Sequence, residues 1–194
     1  MSQTITPIVG PPTMENVNTS DTFYYFGFGS NMLIQRLQMG SPSAKKFAVG
    51  KLLNYKLSFM NIEGSTKSSW KGAAATIVES RGSYVYGVVY EISLKEQKNL
   101  DIQELVAVGR YHRIEVEVLV DDGVPLKCWC YQICHPQAVI GAPSPQYKDV
   151  IVRGAVQNNL PHDYLTFLHN IEDNKYDGEC ELYDTVMKFY ADNQ

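Results

Sequence analysis

Residues 23–33, FYYFGFGSNML, constrain the fold of this chain more than any other stretch. Their aromatic first half favours a β-strand. Gly27, Gly29, Ser30 and Asn31 then favour a turn whose backbone a ligand can approach closely. Residues near helical spacing follow at Met32, Leu33, Arg36, Leu37 and Met39. The stretch therefore predicts a strand, a loop and a helix, an arrangement typical of sites for anions or oxyanions.

Known phosphate-binding signatures do not fit this turn. A dinucleotide-binding fingerprint needs a third glycine where Met32 stands, and a P-loop needs a Gly-Lys-Ser/Thr sequence that does not follow. A plain strand-to-helix turn, with glycine for its geometry and Ser30 as a cap, stays open as the alternative to a binding loop.

The composition bounds the class of protein. With 194 residues and 44% hydrophobic side chains, the chain is predicted to form one domain around one sizeable core. Its formal net charge of -4, with acids and bases interspersed, argues against a nucleic-acid partner. Because no signal-like N-terminus and no run of about 20 apolar residues is found, we expect a cytoplasmic protein with free thiols and no membrane partner.

The chain divides into three predicted parts. Residues 1–20, rich in proline, serine and threonine, are expected to form a flexible leader. Residues 21–180 form the predicted domain, and 181–194 a C-terminal tail that is weakly helical at best. Strands are predicted at 23–28, 46–60, 72–79, 84–92, 111–121 and 125–134, the last two joined as a hairpin by Asp121-Asp122-Gly123.

Capping signals predict the helices. Ser144 as N-cap and Pro145 at the first helical position predict a helix with Tyr147 on its apolar face. Other helices are predicted after Asn31, from the Ser93-x-x-Glu96 capping box towards Leu100, and from Pro161 to Ile171. Many antiparallel strands with inserted helices indicate an α+β domain built on a curled sheet or small barrel.

Two groups of residues resemble metal sites, and we reject both. Cys128 and Cys134 would lie roughly 20 Å apart along one strand, too far to share an ion, so the cysteines are interpreted as buried apolar side chains. No nucleophile motif surrounds them. Residues 173–184 resemble a calcium loop, but Lys175 occupies a ligand position and would repel the ion. We interpret this segment as a solvated acidic turn and predict no metal site.

Glu104 is the strongest candidate for an acid or base. Leu105, Val106 and Val108 follow it, and such apolar surroundings would raise the pKa of a carboxyl group towards a value useful for proton transfer. The pattern fits equally well a capping box formed with Asp101, in which the glutamate is solvated. The sequence pattern alone leaves both interpretations open.

A set of ordered blocks across residues 22–176 resembles gamma-glutamylcyclotransferase. The blocks are YFGFGSNML at 25–33, GAAATI at 72–77, VYGVVY at 85–90, LDIQE at 100–104, PSPQYK at 143–148, GA at 154–155 and NLP at 159–161. This resemblance implies a small mixed β-barrel with helices packed outside. It also implies release of 5-oxoproline and a free amino acid from gamma-glutamyl amino acids, no cofactor, and a homodimer.

The resemblance also assigns residues. Glu104 matches the catalytic glutamate, and Tyr147 matches a substrate-contacting tyrosine. The substrate loop corresponds to Tyr25, Phe26, Gly27, Phe28, Gly29, Ser30 and Asn31. The family loop usually has tyrosine where this chain has Phe28, so any role for that hydroxyl is absent or supplied by Tyr24, Tyr25 or Tyr111.

The residues suit cyclisation, because the substrate's own amine attacks its γ-carbonyl and no protein nucleophile is needed. One carboxylate of raised pKa could move both protons, and loop N–H groups could stabilise the oxyanion. Two alternatives stay open: a relative acting on gamma-glutamyl amines or glutathione, and a non-catalytic binding module that retains the pocket.

Overall fold

The computed structural model describes residues 21–62, 68–103 and 111–193. Its centre is a barrel of five strands: β1 Thr22–Gly27, β2 Lys45–Ile62, β3 Ala74–Ser93, β4 His112–Val120 and β5 Val124–Gln132. The strands lie in the order β3-β1-β5-β4-β2, and β2 pairs with β3 to close the barrel. β1 and β5 are parallel while the other barrel pairs are antiparallel. The predicted α+β fold with a small mixed barrel is confirmed.

β3 joins two segments that the sequence predicted as separate strands. The pairs Tyr55↔Glu79 and Leu53↔Tyr84 leave residues 80–83 bulging opposite Asn54. Gly82 takes a φ of +80° there, and its N–H donates to Asn54 Oδ1 at 3.1 Å. The predicted interruption is therefore present, but as a bulge within one long strand rather than as a turn between two strands.

The predicted hairpin is confirmed with its turn. β4 and β5 pair from His112↔Gln132 to Val120↔Val124, and Asp121–Gly123 form a short 3-10 turn between them. A short strand that the sequence did not predict, β6 Ala138–Ile140, pairs with the end of β2. A three-residue strand carries too little periodicity to be detected from sequence.

Helices pack around the barrel. They are α1 Ile34–Gln38, α2 Gln97–Gln103, α3 Pro145–Gln157, α4 His162–His169 and α5 Glu181–Asp192, with 3-10 turns at Ser30–Met32 and Leu94–Glu96. The side chain of Ser144 accepts a hydrogen bond from the Tyr147 N–H, as expected for the N-cap of α3. No helix among the described residues combines the length and apolar character needed to cross a bilayer.

The expectation of a weakly helical tail was wrong. α5 runs from Glu181 to Asp192, and its Val186 is fully buried. The Asn193 carbonyl that follows it accepts a hydrogen bond from Gln35 Nε2 of α1 at 3.3 Å. Packing of one apolar helix face against the rest of the domain supplies stability that local propensity does not show.

The cysteines divide into two environments. Cys128 and Cys130 lie two residues apart on β5, and both point into the core. Burial raises the pKa of both thiols, that of Cys128 to about 12. Cys134 is exposed, which corrects the expectation that it is a buried apolar side chain. It lies beyond the last residue of β5, where alternation no longer predicts burial.

Two lysines neutralise Asp173, the first residue of the segment 173–184. Asp173 pairs with Lys148 Nζ at 3.7 Å and Lys175 Nζ at 3.3 Å. Burial raises the pKa of Asp173, but hydrogen bonds from Lys175 and the charges of both lysines outweigh that effect and lower it. Within the described residues, no group of three or more His, Cys, Asp and Glu could hold a metal ion.

Candidate active site

The candidate site is a small cavity where the end of β1 meets β3, β5 and α3. Its volume is about 30 Å³, and its lining residues are Tyr25, Phe28, Gly29, Ser30, Asn31, Ala75, Tyr111, Tyr131 and Tyr147. Four of these are tyrosines, and none of the described lining residues carries a charged side chain. The cavity is therefore rich in hydroxyl groups that can either donate or accept hydrogen bonds.

The loop after β1 forms one side of this cavity. Ser30–Met32 make a 3-10 turn, and the Met32 N–H donates to the Gly29 carbonyl at 3.0 Å. Neither Ser30 nor Asn31 caps this turn; the Asn31 amide donates to the Tyr25 hydroxyl at 2.9 Å instead. The backbone hydrogen bonds of this turn begin at the Met32 N–H, as is usual for the first residues of a helical turn.

Residues of β3 and at the end of α3 hold the loop in place by hydrogen bonds and close packing. The Met32 carbonyl accepts hydrogen bonds from the Tyr90 hydroxyl at 2.6 Å and from Asn158 Nδ2 at 2.8 Å. Gly154 of α3 packs so closely that a Cβ there would lie 2.5 Å from the Leu33 nitrogen. This double anchor fixes the position of the loop relative to the barrel.

Tyr147 reaches the cavity from the first turn of α3. Its hydroxyl accepts a hydrogen bond from the Ala75 N–H at 3.2 Å, and its ring stacks against Trp70 with centroids 4.9 Å apart. Ser144, the N-cap of the same helix, donates to the Trp70 carbonyl. Cap, ring contact and hydrogen bond together hold the Tyr147 side chain in one orientation.

Tyr111 and Tyr131 complete the lining through donor hydroxyls. The Tyr111 hydroxyl donates to the Ala75 carbonyl at 3.1 Å. The Tyr131 hydroxyl donates to Asp101 Oδ1 at 2.6 Å, and Asp101 Oδ2 lies 3.6 Å from Arg113 Nη1. A carboxylate of α2 is thereby tied directly to the cavity.

Comparison with known proteins gives a consistent result. The model of the AIG2-like family matches residues 84–168. Gamma-glutamylcyclotransferase of Bos taurus is 41% identical over 170 residues, covering 87% of this chain and 89% of the relative; its Homo sapiens counterpart is 39% identical over the same shares. A solved gamma-glutamyl cyclotransferase superposes with a TM-score of 0.80 at 39% identity, covering 86% of this chain and 99% of that structure.

The chain belongs to the gamma-glutamylcyclotransferase family. This is a family of enzymes, and the barrel described above is its fold.

Six of the site residues predicted from the family resemblance lie together in the cavity lining. Tyr25, Phe28, Gly29, Ser30, Asn31 and Tyr147 all line the cavity. Phe26 is fully buried in the barrel, where its ring lies over Gly87. Gly27 packs against the Asn31 backbone and does not line the cavity. Glu104 lies outside the described residues.

Two lining residues, Ala75 and Tyr131, were not predicted as site residues from the sequence. Ala75 lies in the GAAATI block, and Tyr131 lies in the predicted strand 125–134 next to the buried Cys130, so alternation along the strand did not predict that it would be buried. Of the three tyrosines considered as substitutes for the family hydroxyl at Phe28, Tyr25 and Tyr111 line the cavity. Tyr24 packs instead on Phe47, with ring centroids 4.8 Å apart.

A larger groove lies elsewhere on the gamma-glutamylcyclotransferase barrel. It has a volume of about 760 Å³ and runs along β2, β3 and β4, where Tyr55, Glu79, Arg81 and Glu115 line it. None of the predicted site residues that the structure describes lines this groove. We place the candidate site in the smaller cavity because backbone and tyrosine hydrogen-bonding groups converge there, and such convergence defines a site better than volume does.

Proposed function

We propose that this chain is a gamma-glutamylcyclotransferase that cyclises gamma-glutamyl amino acids to 5-oxoproline and releases the free amino acid. The observation that carries the proposal is the anchored Gly29–Asn31 loop facing Tyr147 across one cavity. Loop backbone lines one side of the cavity and tyrosine side chains line the other, which suits a substrate with both an amino acid head and an amide carbonyl.

The reaction is an intramolecular acyl transfer. The substrate's neutral α-amine attacks its γ-carbonyl carbon, a ring C–N bond forms, and the carbonyl oxygen becomes an oxyanion. The amine then loses a proton, and the amide C–N bond breaks as the leaving nitrogen gains one. Holding amine and carbonyl together supplies much of the acceleration, and N–H groups of the Gly29–Asn31 loop would stabilise the oxyanion.

We assign both proton transfers to Glu104. The support comes from its neighbours: α2 ends at Gln103, and Asp101 of that helix bonds to Tyr131 in the cavity lining. Tyr111, on the other side of Glu104 in sequence, also lines the cavity. A carboxyl group among apolar residues would have the raised pKa that a shared acid and base requires.

The cavity must widen to accept this substrate. A volume of about 30 Å³ has room for water but not for a gamma-glutamyl group.

The test is replacement of Glu104. We predict that Glu104→Gln folds normally and binds substrate but loses about 10²- to 10⁴-fold in kcat, the usual contribution of a positioned acid or base. Release of 5-oxoproline and of the free amino acid would be measured in parallel. Glu117→Gln, an exposed site on β4, is the matched control and should retain full activity. A Glu104→Gln enzyme with more than about a tenth of the normal rate would remove Glu104 from the mechanism.

The same assay separates the alternatives. Gamma-glutamyl amino acids, gamma-glutamyl amines and glutathione would be compared as substrates under identical conditions. Substrate binding without any 5-oxoproline release would favour a binding module, the interpretation to which Phe28 points because it lines the cavity without a hydroxyl.

The assembly is proposed on the family resemblance and the composition. We propose a cytoplasmic homodimer; the predicted leader, residues 1–20, lies outside the described residues. Light scattering on the full chain would give the molar mass directly. A monomer at micromolar concentration would contradict the dimer without affecting the assignment of the reaction.

A further inference from the structure

Two buried side chains donate hydrogen bonds to the same backbone oxygen of the loop after β1. The Tyr90 hydroxyl of β3 lies 2.6 Å from the Met32 carbonyl oxygen, and Asn158 Nδ2, at the end of α3, lies 2.8 Å from it. Tyr90 is fully buried and Asn158 is nearly so. A buried polar group destabilises the fold unless it is hydrogen-bonded, so this loop carbonyl is what makes both groups tolerable at these positions.

The direction of both hydrogen bonds is fixed, because a carbonyl oxygen has no proton to give. Burial raises the pKa of Tyr90, so its hydroxyl keeps the proton that it donates. Asn158 Nδ2 also donates to the Gly154 carbonyl at 2.8 Å. The Asn158 amide therefore ties the loop to the backbone of α3, while Tyr90 ties it to the barrel.

Backbone hydrogen bonds connect the Met32 carbonyl to the part of the loop that lines the cavity. This carbonyl and the Leu33 N–H belong to one planar peptide group, and the Leu33 N–H donates to the Ser30 carbonyl at 3.1 Å. The Ser30 carbonyl in turn shares a peptide plane with the Asn31 N–H. The orientation of the first peptide group therefore sets that of the second, and hydrogen bonds in such a chain strengthen one another.

We propose that Tyr90 and Asn158 are positioning residues for the reaction: by holding the Met32 carbonyl, they keep the Gly29–Asn31 loop in the orientation that stabilises the oxyanion. The proposal rests on the function proposed above and adds to it two residues that do not line the cavity. Neither side chain touches the substrate, so both act through the loop backbone.

Loss of these hydrogen bonds should change kcat rather than KM. Negative charge develops on the substrate's carbonyl oxygen only on the way to the tetrahedral intermediate, so a correctly oriented loop binds the transition state more strongly than the substrate. A displaced loop should therefore lower kcat and kcat/KM by the same factor.

Tyr183 provides a matched control. Its hydroxyl donates to Asp149 Oδ2 at 2.9 Å, and this pair joins α5 to α3 outside the cavity lining. Tyr183→Phe removes one tyrosine hydrogen bond, as Tyr90→Phe does, but leaves the Met32 carbonyl and both of its donors unchanged.

The first measurement compares turnover with binding. We expect Tyr90→Phe and Asn158→Ala each to lower kcat about tenfold, less than the ~10²- to 10³-fold cost of losing an oxyanion donor, because one side chain still holds the carbonyl. KM should change by less than about twofold. Calorimetric titration with an unreactive ether analogue of the substrate gives the fraction of protein able to bind, which separates unfolding from lost turnover. Tyr183→Phe should keep the kcat and KM of the unmodified protein.

The second measurement, hydrogen exchange followed by NMR, does not depend on turnover. The Met32 and Leu33 amides close the loop onto the Gly29 and Ser30 carbonyls. Relative to the amides of the β4–β5 hairpin, which report the stability of the barrel, we expect these two to exchange about fivefold faster in Tyr90→Phe and in Asn158→Ala, the size of one hydrogen bond. Tyr183→Phe should leave this ratio unchanged.

Several results would overturn the proposal. A kcat within about twofold of the unmodified value in both variants, or a loss of kcat equal to the loss of binding-competent protein, would show a purely structural role. Unchanged relative exchange of the Met32 and Leu33 amides would show that the two side chains do not hold the loop. Asn158→Ala gives the same comparisons should Tyr90→Phe fail to fold. Failure of the unmodified protein to release 5-oxoproline would refute the proposed reaction instead, and the exchange ratio would still decide whether the loop is held in this way.

Discussion

At the scale of single residues, Gly29 shows why the loop after β1 needs a glycine. Its φ of -108° lies outside the left-handed region that favours glycine. A Cβ at Gly29, however, would lie 3.2 Å from both the Tyr147 hydroxyl and the Ala75 Cβ. The constraint is one of space: a Cβ at this position is tight against both neighbours, and Tyr147 or Ala75 would have to shift by a few tenths of an ångström to admit it.

This leads to a prediction for the loop. We expect Gly29→Val to lower kcat by about 10²- to 10³-fold, the cost of disturbing an oxyanion donor. Ser30→Ala should have a much smaller effect, because its backbone N–H remains. Steady-state kinetics on both variants, with thermal unfolding as a check on folding, would decide. A stably folded Gly29→Val enzyme with full activity would show that the loop is only a connector.

A substitution at Phe28 tests whether enzyme activity can be increased. It is buried and lines the cavity, at the position where the family resemblance places a tyrosine. Phe28→Tyr adds only a hydroxyl, and we expect activity equal to or higher than that of the unmodified chain, most visibly as a lower KM. A large loss of activity on this substitution would mean that the cavity cannot accommodate the hydroxyl and that this chain has adapted to its absence.

At the scale of secondary structure elements, the contact between α3 and the loop decides where the site lies. Gly154 allows the helix to approach until a Cβ would lie 2.5 Å from the Leu33 nitrogen and 2.6 Å from the Met32 carbonyl carbon. Glycine lowers helix stability by about 1 kcal/mol relative to alanine. Close packing explains why it stands inside the C-terminal half of α3 despite that cost.

This contact predicts whether Gly154→Ala raises or lowers the free energy of unfolding. Alanine would stabilise an isolated helix, yet here we expect it to destabilise the protein by about 1–3 kcal/mol through overpacking. Substrate KM should rise as the loop is displaced. Thermal or denaturant unfolding measures the first effect and kinetics the second. Val156→Ala, on an exposed position of the same helix, is the control and should change stability by less than about 0.5 kcal/mol. An increase in stability with Gly154→Ala would contradict the packing argument.

At the scale of the whole molecule, the buried thiols make stability depend on pH. The pKa of Cys128 is about 12 in the folded protein against 9.0 for an unperturbed thiol, because burial disfavours the thiolate. Below pH 9 both states keep the proton and the stabilisation is present in full. As the pH rises from 9 to 12, the unfolded chain releases its proton first and stability falls.

We therefore expect the Tm to decline between pH 9 and 12, with a shallower decline in Cys128→Ser, whose side chain does not ionise in this range. Cys134→Ser, on the exposed cysteine, should follow the unmodified protein. Calorimetric scans at steps of pH would measure the slopes. Burial also raises the pKa of Cys130, Tyr90 and Tyr164, so the decline should be reduced rather than abolished. Identical slopes in Cys128→Ser and the unmodified chain would exclude the contribution of Cys128.

Local chemistry determined a substantial part of the fold. The β4–β5 hairpin follows from alternation and an Asp-Asp-Gly turn, and the start of α3 follows from Ser144 and Pro145. These signals could be recognised because their physical cause lies within a few residues of sequence. The loop after β1 was likewise predictable as a feature of the backbone, and most of its residues do line the cavity.

Only tertiary structure decided which residues share the site. Tyr131 and Asp101 lie 30 residues apart in sequence and meet because α2 packs beside the end of β5. Phe26 and Phe28 belong to the same aromatic run, yet the first fills the barrel and the second lines the cavity. The helical tail α5 forms because its apolar face has a surface to cover, which local propensity cannot show. The sequence determined the local elements and the family resemblance, whereas closure of the barrel determined which side chains face one another, because that depends on contacts between residues distant in the chain.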